Sequence, residues 1–400
     1  MPAGREDNLI HPPRRPSTVS RILIAEETLD PGYLPAKLPG REKELGLLFR
    51  LFRESLTKGV PRHHELNGGV GSGKTALARR LADDLQKAGK LGGLAVQPIH
   101  VNCWRRASDR TILLELLRGV GVSLPDRGYS LAEMLDVFEQ GIRRQPRHLL
   151  IVLDEVSAVV RQGTKLVYLL TRPHEVGLGS ISLVLVSPED VLPFLDAPSR
   201  SSFGVTHRLQ LAPYDADALL EVLQARATLA LRPGSWTTDV LEQLARVAAN
   251  TGDARFALEL LSGAARAAEM AESDEIRPED VRAAKGSISP TVTETKLEEL
   301  SNRSLLVLLA LARSLRGPRS HAASERVRQA YQVACEEYEE TPVGRIQFWR
   351  TIKELEREGI LQTEPGAPGE SARLSMDDVP VSFLQTLVES RLKRRRPRKA

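Results

Sequence analysis

The feature that most restricts the fold is the run Gly68-Gly69-Val70-Gly71-Ser72-Gly73-Lys74-Thr75, a full match to GxxxxGK[ST]. It lies between a short strand-like stretch at 65–67 and a helical pattern over 76–86. Glycines let such a loop curl until successive backbone N–H groups face one point, and the helix that follows adds the positive end of its dipole. A strand, a phosphate-sized loop and a helix in that order belong to an α/β protein. In such a loop Lys74 bridges the β and γ phosphates of a nucleotide, and Thr75 ligates Mg²⁺, an ion that needs only one or two protein oxygens.

A second element is Leu149-Leu150-Ile151-Val152-Leu153-Asp154-Glu155, five apolar residues ending in two acids. Burial explains the apolar run but not the charge at its end. The ends of neighbouring parallel strands form the ligand crevice, so Asp154 is expected near Thr75, holding the metal's water shell, with Glu155 polarising the attacking water. The implied reaction is ATP binding with in-line hydrolysis of the γ-phosphate. Ser187, at the end of the next apolar run, is a polar candidate for sensing that phosphate. Arg255, in Gly252-Asp253-Ala254-Arg255, reads either as a surface arginine near a helix start or as a group reaching back to the phosphates.

Around these motifs, residues 21–211 alternate helical patterns with the short apolar runs HHELNG, LAVQPIHVNC, HLLIVLD, ISLVLVS and THRLQL. Continuous runs of this kind fit strands covered on both faces, as in a parallel sheet wrapped by helices. After Pro213 the strand-like runs stop. Segments 215–231, 237–249, 253–271 and 278–285 look helical, with Asp215 and Thr237 near N-caps and Pro278 in a first turn. The stretch 286–290 reads as a linker. A third unit follows, with helices at 296–315, 324–340 and 341–358, then a strand, the turn-rich EPGAPGES and a second strand. Three helices and a hairpin make a winged-helix pattern. On its third helix Ile346, Trp349, Ile352 and Leu355 are expected to face the core, with Gln347, Arg350, Lys353 and Arg357 opposite, interleaved with Glu354 and Glu358. Mixed charge of this sort fits a solvated face as well as a groove reader. The expected domains are an arm at 1–20, a nucleotide-binding base at 21–211, a helical lid at 212–288, a winged helix at 291–390 and a basic tail at 391–400.

Composition sets the outer bounds. A chain of 400 residues with 41% hydrophobic content has room for two or three cores. Its longest strongly apolar run, 305–312, is far short of the ~20 residues that cross a bilayer, and Pro and Arg occupy the first twenty residues where a signal peptide is apolar. A cytoplasmic protein with no membrane partner is expected. The two cysteines, Cys103 and Cys335, are far apart, which suggests neither a disulfide framework nor a zinc site. The last ten residues hold seven Lys or Arg, so removing them from the overall charge of +4 leaves −3. Such a tail reads as a solvated end that adds affinity for any polyanion without reading sequence.

With these residues in place, the chain resembles the archaeal origin-recognition and replication-initiator family of AAA+ ATPases, which is related to the eukaryotic origin recognition subunits. The resemblance covers most of the chain. It rests on Tyr33-Leu34-Pro35, Leu38-Pro39-Gly40-Arg41-Glu42, the two nucleotide motifs, Pro213-Tyr214, Gly252-Asp253-Ala254-Arg255 and the winged-helix pattern. It implies a RecA-like AAA+ sheet, an all-helical lid and a winged helix that binds double-stranded origin DNA and helps recruit the replicative helicase, with paralogous initiator subunits as further partners. Under the resemblance Gly69, Val70, Gly71, Ser72, Gly73, Lys74, Thr75 and Ala76 hold the phosphates of ATP or ADP. Thr75 and Asp154 serve Mg²⁺, Asp154 and Glu155 serve metal and water, and Arg255 is the lid sensor. Tyr214 and Arg226 match positions near the nucleotide. The segment around 165–178 matches an additional helix that touches DNA, with Arg172 as the contact.

Two departures stand out. Where the family has Asn in an S-N-D context, this chain has Ser187-Pro188-Glu189-Asp190, and before Ser201 only Arg200 remains as an arginine-finger candidate. Slow hydrolysis, or use of ATP chiefly as a conformational ligand, follows. Two functional readings emerge: an initiator whose Gln347, Arg350 and Lys353 meet DNA, and a nucleotide-switched regulator whose winged helix docks a protein, the latter favoured by Glu336, Glu337, Glu339 and Glu340. A clamp-loader-like motor fits less well, since a terminal winged helix has no place in it.

Overall fold

The computed structural model describes residues 20–144, 147–172, 180–203, 207–288, 296–297, 300–317, 319–366, 370–377 and 379–395. Parts of the expected arm, linker, segment after Asp154, wing and tail lie outside those residues. The chain forms two compact units, one of residues 29–226 with 241–259, the other of residues 20–28, 227–240 and 260–395.

In the first unit all five apolar runs form strands: β1 (His63–Gly68), β2 (Val96–Asn102), β3 (His148–Asp154), β4 (Ile181–Ser187) and β5 (Arg208–Leu211). They pair in parallel in the order β2-β3-β4-β1-β5. Successive residues of β3 feed opposite cores, which explains why its run is continuous rather than alternating. Leu149, Ile151 and Leu153 pack with Leu113, Phe138 and Leu183, whereas Leu150 and Val152 pack with Phe52, Leu77, Leu81 and Val184. The parallel arrangement brings all carboxyl ends to one side, where Asn67 pairs with Ser187 and Asn102 with Asp154. At the other ends lie histidines, His63 and His64 buried and His148 and His207 partly so. Ser180 Oγ and Ser182 Oγ hold the two ring nitrogens of His148 at 2.7 and 2.8 Å, and the His64 ring stacks on His207 with centroids 5.3 Å apart.

The helices expected after Pro213 are Ala216–Ala230, Thr238–Ala249, Ala254–Met270 and Pro278–Ile288. Asp215 and Thr237 cap the first two, accepting from the N–H groups of Ala218 (2.8 Å) and Val240 (3.4 Å). The last helix continues to Ile288, past the start of the expected linker.

Within the second unit, helices Asn302–Ser314, Ser324–Glu337 and Arg345–Arg357 pack with the antiparallel strands β6 (His321–Ala323), β7 (Gln362–Glu364) and β8 (Arg373–Ser375), in the order β6-β8-β7. This is the winged helix. Ser301 Oγ caps the first of its helices, accepting from Ser304 N–H at 3.1 Å. Arg282, fully buried on Pro278–Ile288, is satisfied by the carbonyls of Met376 and Arg319, both at 2.8 Å, and by Glu279 at 3.1 Å.

Two expectations for this unit are corrected. Ile346 is 82% exposed, and the buried stripe of its helix is Phe348, Thr351, Ile352 and Leu355, with the Phe348 ring 5.3 Å from Tyr331. The stripe drawn from Ile346 through Trp349 has steps of three only, which drift around a helix of 3.6 residues per turn. The basic end is not wholly a solvated tail either, because a helix runs from Val381 to Arg395. Leu384, Val388 and Leu392, spaced four apart, bury one face of it in the winged-helix core. Among the described residues no helix is long and apolar enough to cross a membrane, and both cysteines are buried and free.

Candidate functional site

The loop between β1 and the helix Lys74–Leu91 needs its glycines. Gly71 has φ +68°, and a Cβ there would lie 1.7 Å from Asp253 Oδ1; Gly73 has φ +88°, and its Cβ would lie 2.7 Å from the Tyr214 hydroxyl. Both positions combine a left-handed backbone with a close approach, so only glycine fits. Residues 214 and 253, far along the chain, are thereby pressed against the loop. The Ala254 N–H donates to Gly71 O at 3.2 Å and the Tyr214 N–H to Gly252 O at 3.1 Å, which fixes that contact through backbone as well as side chains.

A cavity of about 280 Å³ opens over this loop. Its walls include Tyr33 and Pro39, the loop residues Gly71, Gly73, Lys74, Thr75 and Ala76, and Tyr214, Arg226 and Arg255. Arg226 is buried, donates to Tyr33 O at 2.9 Å and stands 4.9 Å over the Tyr33 ring. Arg255 is exposed at the rim, while Asp253 accepts its N–H at 2.7 Å and so starts the helix Ala254–Met270. Tyr214 and Arg226, matched to the nucleotide by resemblance alone, and Arg255, read from its place at a helix start as a group reaching back to the phosphates, thus share one cavity with the phosphate loop.

The acids arrive from β3. Thr75 Oγ1 donates to Asp154 Oδ1 at 3.2 Å, and His100 Nε2 lies 3.3 Å from Asp154 Oδ2. Asp154 is buried, and its Oδ1 also accepts the Glu155 N–H at 3.1 Å. Glu155 has φ +55°, a left-handed backbone that a side-chain-bearing residue rarely holds and that tends to occur at functional turns. Lys74 is buried and donates to the carbonyls of Gly68 and Gly69 at 2.8 and 2.7 Å. Its burial, and next the Arg255 charge, pull its ammonium below the usual lysine range, against the raising effect of Glu155 and Asp154. Burial beside the same two acids pushes the Cys103 thiol up to about 12, which keeps it a neutral core group.

The donor set suits a magnesium nucleotide. Thr75 and Asp154 could supply the one or two hard oxygens the ion needs and Lys74 a cation, and the buried Ser72 hydroxyl has no hydrogen-bond partner among the described residues. Ser187 is fully buried, and its Oγ accepts the Glu189 N–H at 3.3 Å. Arg200 is exposed on the short helix Ala197–Ser201, donates to Leu195 O at 3.1 Å and is not among the cavity walls. Arg172 lies 5.6 Å over the Tyr168 ring and donates to Pro198 O and Ser201 Oγ, both at 3.3 Å. In the winged helix Arg350 is exposed and Gln347 half-buried, whereas Lys353 donates to Glu356 Oε2 at 2.6 Å and to Thr363 Oγ1 at 2.8 Å.

One residue absent from the expected site is Arg41. It is buried, donates from Nε to Ser72 O at 3.0 Å and from Nη2 to Ala212 O, and stacks 4.0 Å over the Tyr214 ring. It therefore joins the loop to Tyr214. The signal in the sequence was an arginine directly after Gly40 in Leu38-Pro39-Gly40-Arg41-Glu42, but nothing in its spacing reveals a partner 31 or 171 residues away. His100 was equally silent, since a histidine in a strand interior carries no pattern.

Together, the sheet order, the phosphate loop facing an acid on a nearby strand end, the helical lid and the winged helix define an AAA+ ATPase. Comparison with known proteins agrees segment by segment: residues 62–193 match an AAA domain, 220–286 a Cdc6 AAA+ ATPase-type lid domain, and 295–383 a CDC6 C-terminal winged helix domain. The ORC1-type DNA replication protein 1 of Aeropyrum pernix is 30% identical over 367 residues, covering 90% of this chain and 92% of the relative. The structure of Cdc6p from Pyrobaculum aerophilum superposes with a TM-score of 0.82 at 27% identity, covering 93% of this chain and 99% of that one. The Aeropyrum pernix ORC1 protein in complex with DNA gives a TM-score of 0.61 at 28% identity, covering 94% and 98%. The chain belongs to the ORC1/Cdc6-type family of replication initiators.

Proposed function

We propose that the protein is an ATP-dependent replication initiator that binds double-stranded origin DNA through its winged helix and AAA+ domain and helps recruit the replicative helicase. The observation that carries this reading is the convergence of the phosphate loop with Tyr214, Arg226 and Arg255 in one cavity, because it makes the lid part of the nucleotide site. Lys74 and the loop N–H groups bind the phosphates. Thr75 and Asp154 would hold Mg²⁺, which would neutralise phosphate charge when bound. Glu155 orients and deprotonates the attacking water, and Arg200 is available to a neighbouring subunit's nucleotide, a paralogous initiator being the natural neighbour. Because β4 ends in Ser187, whose hydroxyl is turned toward Glu189, hydrolysis is weak and ATP acts chiefly as a switch. The setting is cytoplasmic. Family membership and the DNA complex of the Aeropyrum pernix relative support the DNA partner.

The test is a mobility-shift titration at physiological salt with ATP, comparing chromosomal repeat duplexes with random duplexes. A preference for the repeats that is lost in Lys74→Ala is expected. Equal affinity for both duplexes overturns the reading in favour of a nucleotide-switched regulator.

A further inference from the structure

The helix Arg345–Arg357 presents an unusual outward face. Opposite its buried Phe348, Ile352 and Leu355, the residues Ile346, Arg350, Lys353 and Arg357 follow one another at steps of four, three and four, the spacing of a single helical stripe. Three are cations. The fourth is an isoleucine 82% exposed, although the same helix buries its other large apolar side chains, Phe348, Ile352 and Leu355, and half-buries Trp349.

The cations on the stripe are not equivalent. Lys353 is held by Glu356 and Thr363 against β7, and Arg357 Nε reaches back to the Lys353 carbonyl at 3.4 Å, so both already have contacts within the domain. Arg345, just before Ile346, is paired with Glu325 at 2.8 Å and anchored to the neighbouring helix. Arg350 is exposed, has no such tether among the described residues, and stands one turn beyond Ile346.

Resting on the reading of this domain as a DNA binder, we propose that Ile346 packs on the 5-methyl group of a thymine in the major groove while Arg350 reads a guanine about two base pairs away. The chemistry of base edges selects these partners. Thymine alone offers a methyl to an apolar side chain, and guanine offers the O6 and N7 acceptors that match a guanidinium fork. The spacing follows from geometry, since four residues rise about 6 Å along a helix, close to two base-pair steps of about 3.4 Å.

The experiment begins with selection of bound duplexes from a random pool by the full-length protein with ATP. The enriched site is then synthesised with thymine or with uracil, which lacks only the methyl. Loss of that methyl is expected to weaken wild-type binding about fourfold, the worth of one buried carbon, and to leave Ile346→Ala unaffected. Arg350→Ala should lose discrimination at a guanine two positions away while keeping binding to unselected duplex. Uracil costing wild type and Ile346→Ala the same, or enrichment of sites without thymine, overturns this contact while leaving DNA binding intact. No binding to any duplex by a protein that still binds ATP overturns the contact and the DNA reading together. Circular dichroism of both variants excludes misfolding as the cause, since both positions are exposed.

Discussion

The AAA+ unit and the winged helix carry function in opposite ways. In the first, groups of the phosphate-loop region are held in place by close contacts: Gly71 and Gly73 accept the close approach of Asp253 and Tyr214, Lys74 is gripped by two backbone carbonyls, and Asp154 is held by the Thr75 and His100 side chains. In the second, the face proposed to meet DNA is an exposed stripe defined only by its being opposite the core. A site made of backbone geometry demands particular residues at particular offsets. A site made of a helix face demands only a phase, and many residue types satisfy it.

The sharpest way to strain this contrast is Glu155→Gln. It replaces the proposed water-activating group and leaves the phosphate loop intact, so nucleotide binding should persist while turnover falls on the order of a hundredfold or more. Steady-state phosphate release alongside nucleotide titration checks this. Unchanged turnover would remove Glu155 from the mechanism.

In the winged helix the comparison turns on phase. Phe348→Ala opens a cavity in the core and should cost about 3–5 kcal/mol, whereas Ile346→Ala at an 82% exposed position should stay within about 0.5 kcal/mol. Denaturant melts of the two variants decide it, and equal losses would restore the stripe through Ile346.

A smaller effect separates the sheet from its surroundings by pH. Burial pushes His63, His64 and His148 down to about 4, below the ordinary 6.5 of an unfolded histidine. The unfolded chain therefore binds more protons in that window, and the stability these neutral rings contribute above pH 6.5 is lost progressively as pH falls toward 4. Glu65, pushed up to about 7 by burial, acts in the reverse sense and offsets part of the loss as pH falls from 7. The melting temperature should drop from pH 6.5 to pH 4, and His148→Gln, which keeps hydrogen-bonding capacity for Ser180 and Ser182, should flatten the slope.

The same contrast explains what could be read in the sequence. All five strands and the phosphate loop were visible because a doubly covered parallel strand is a continuous apolar run and a phosphate cradle is a fixed glycine pattern. Asp154 was placed near Thr75 from strand-end logic alone, and the two do meet. Arg41 was seen as part of a motif but not as a site residue, because its contacts to Ser72, Ala212 and Tyr214 are long-range and leave no periodic trace. The helix Val381–Arg395 was hidden by its charge: Leu384, Val388 and Leu392 mark its buried face, yet the dense cations around Leu392 read as a solvated end. Ile346 was misassigned because three-residue steps look helical over a short window.

The most direct measurement is calorimetric titration of ATP with Mg²⁺ into the full-length protein freed of any co-purified nucleotide. One ATP should bind per chain, and Lys74→Ala, which removes the cation bonded to Gly68 and Gly69, should abolish the heat while the thermal melt stays cooperative. Equal ATP binding by wild type and Lys74→Ala, or none by wild type, would contradict a lid-coupled nucleotide switch.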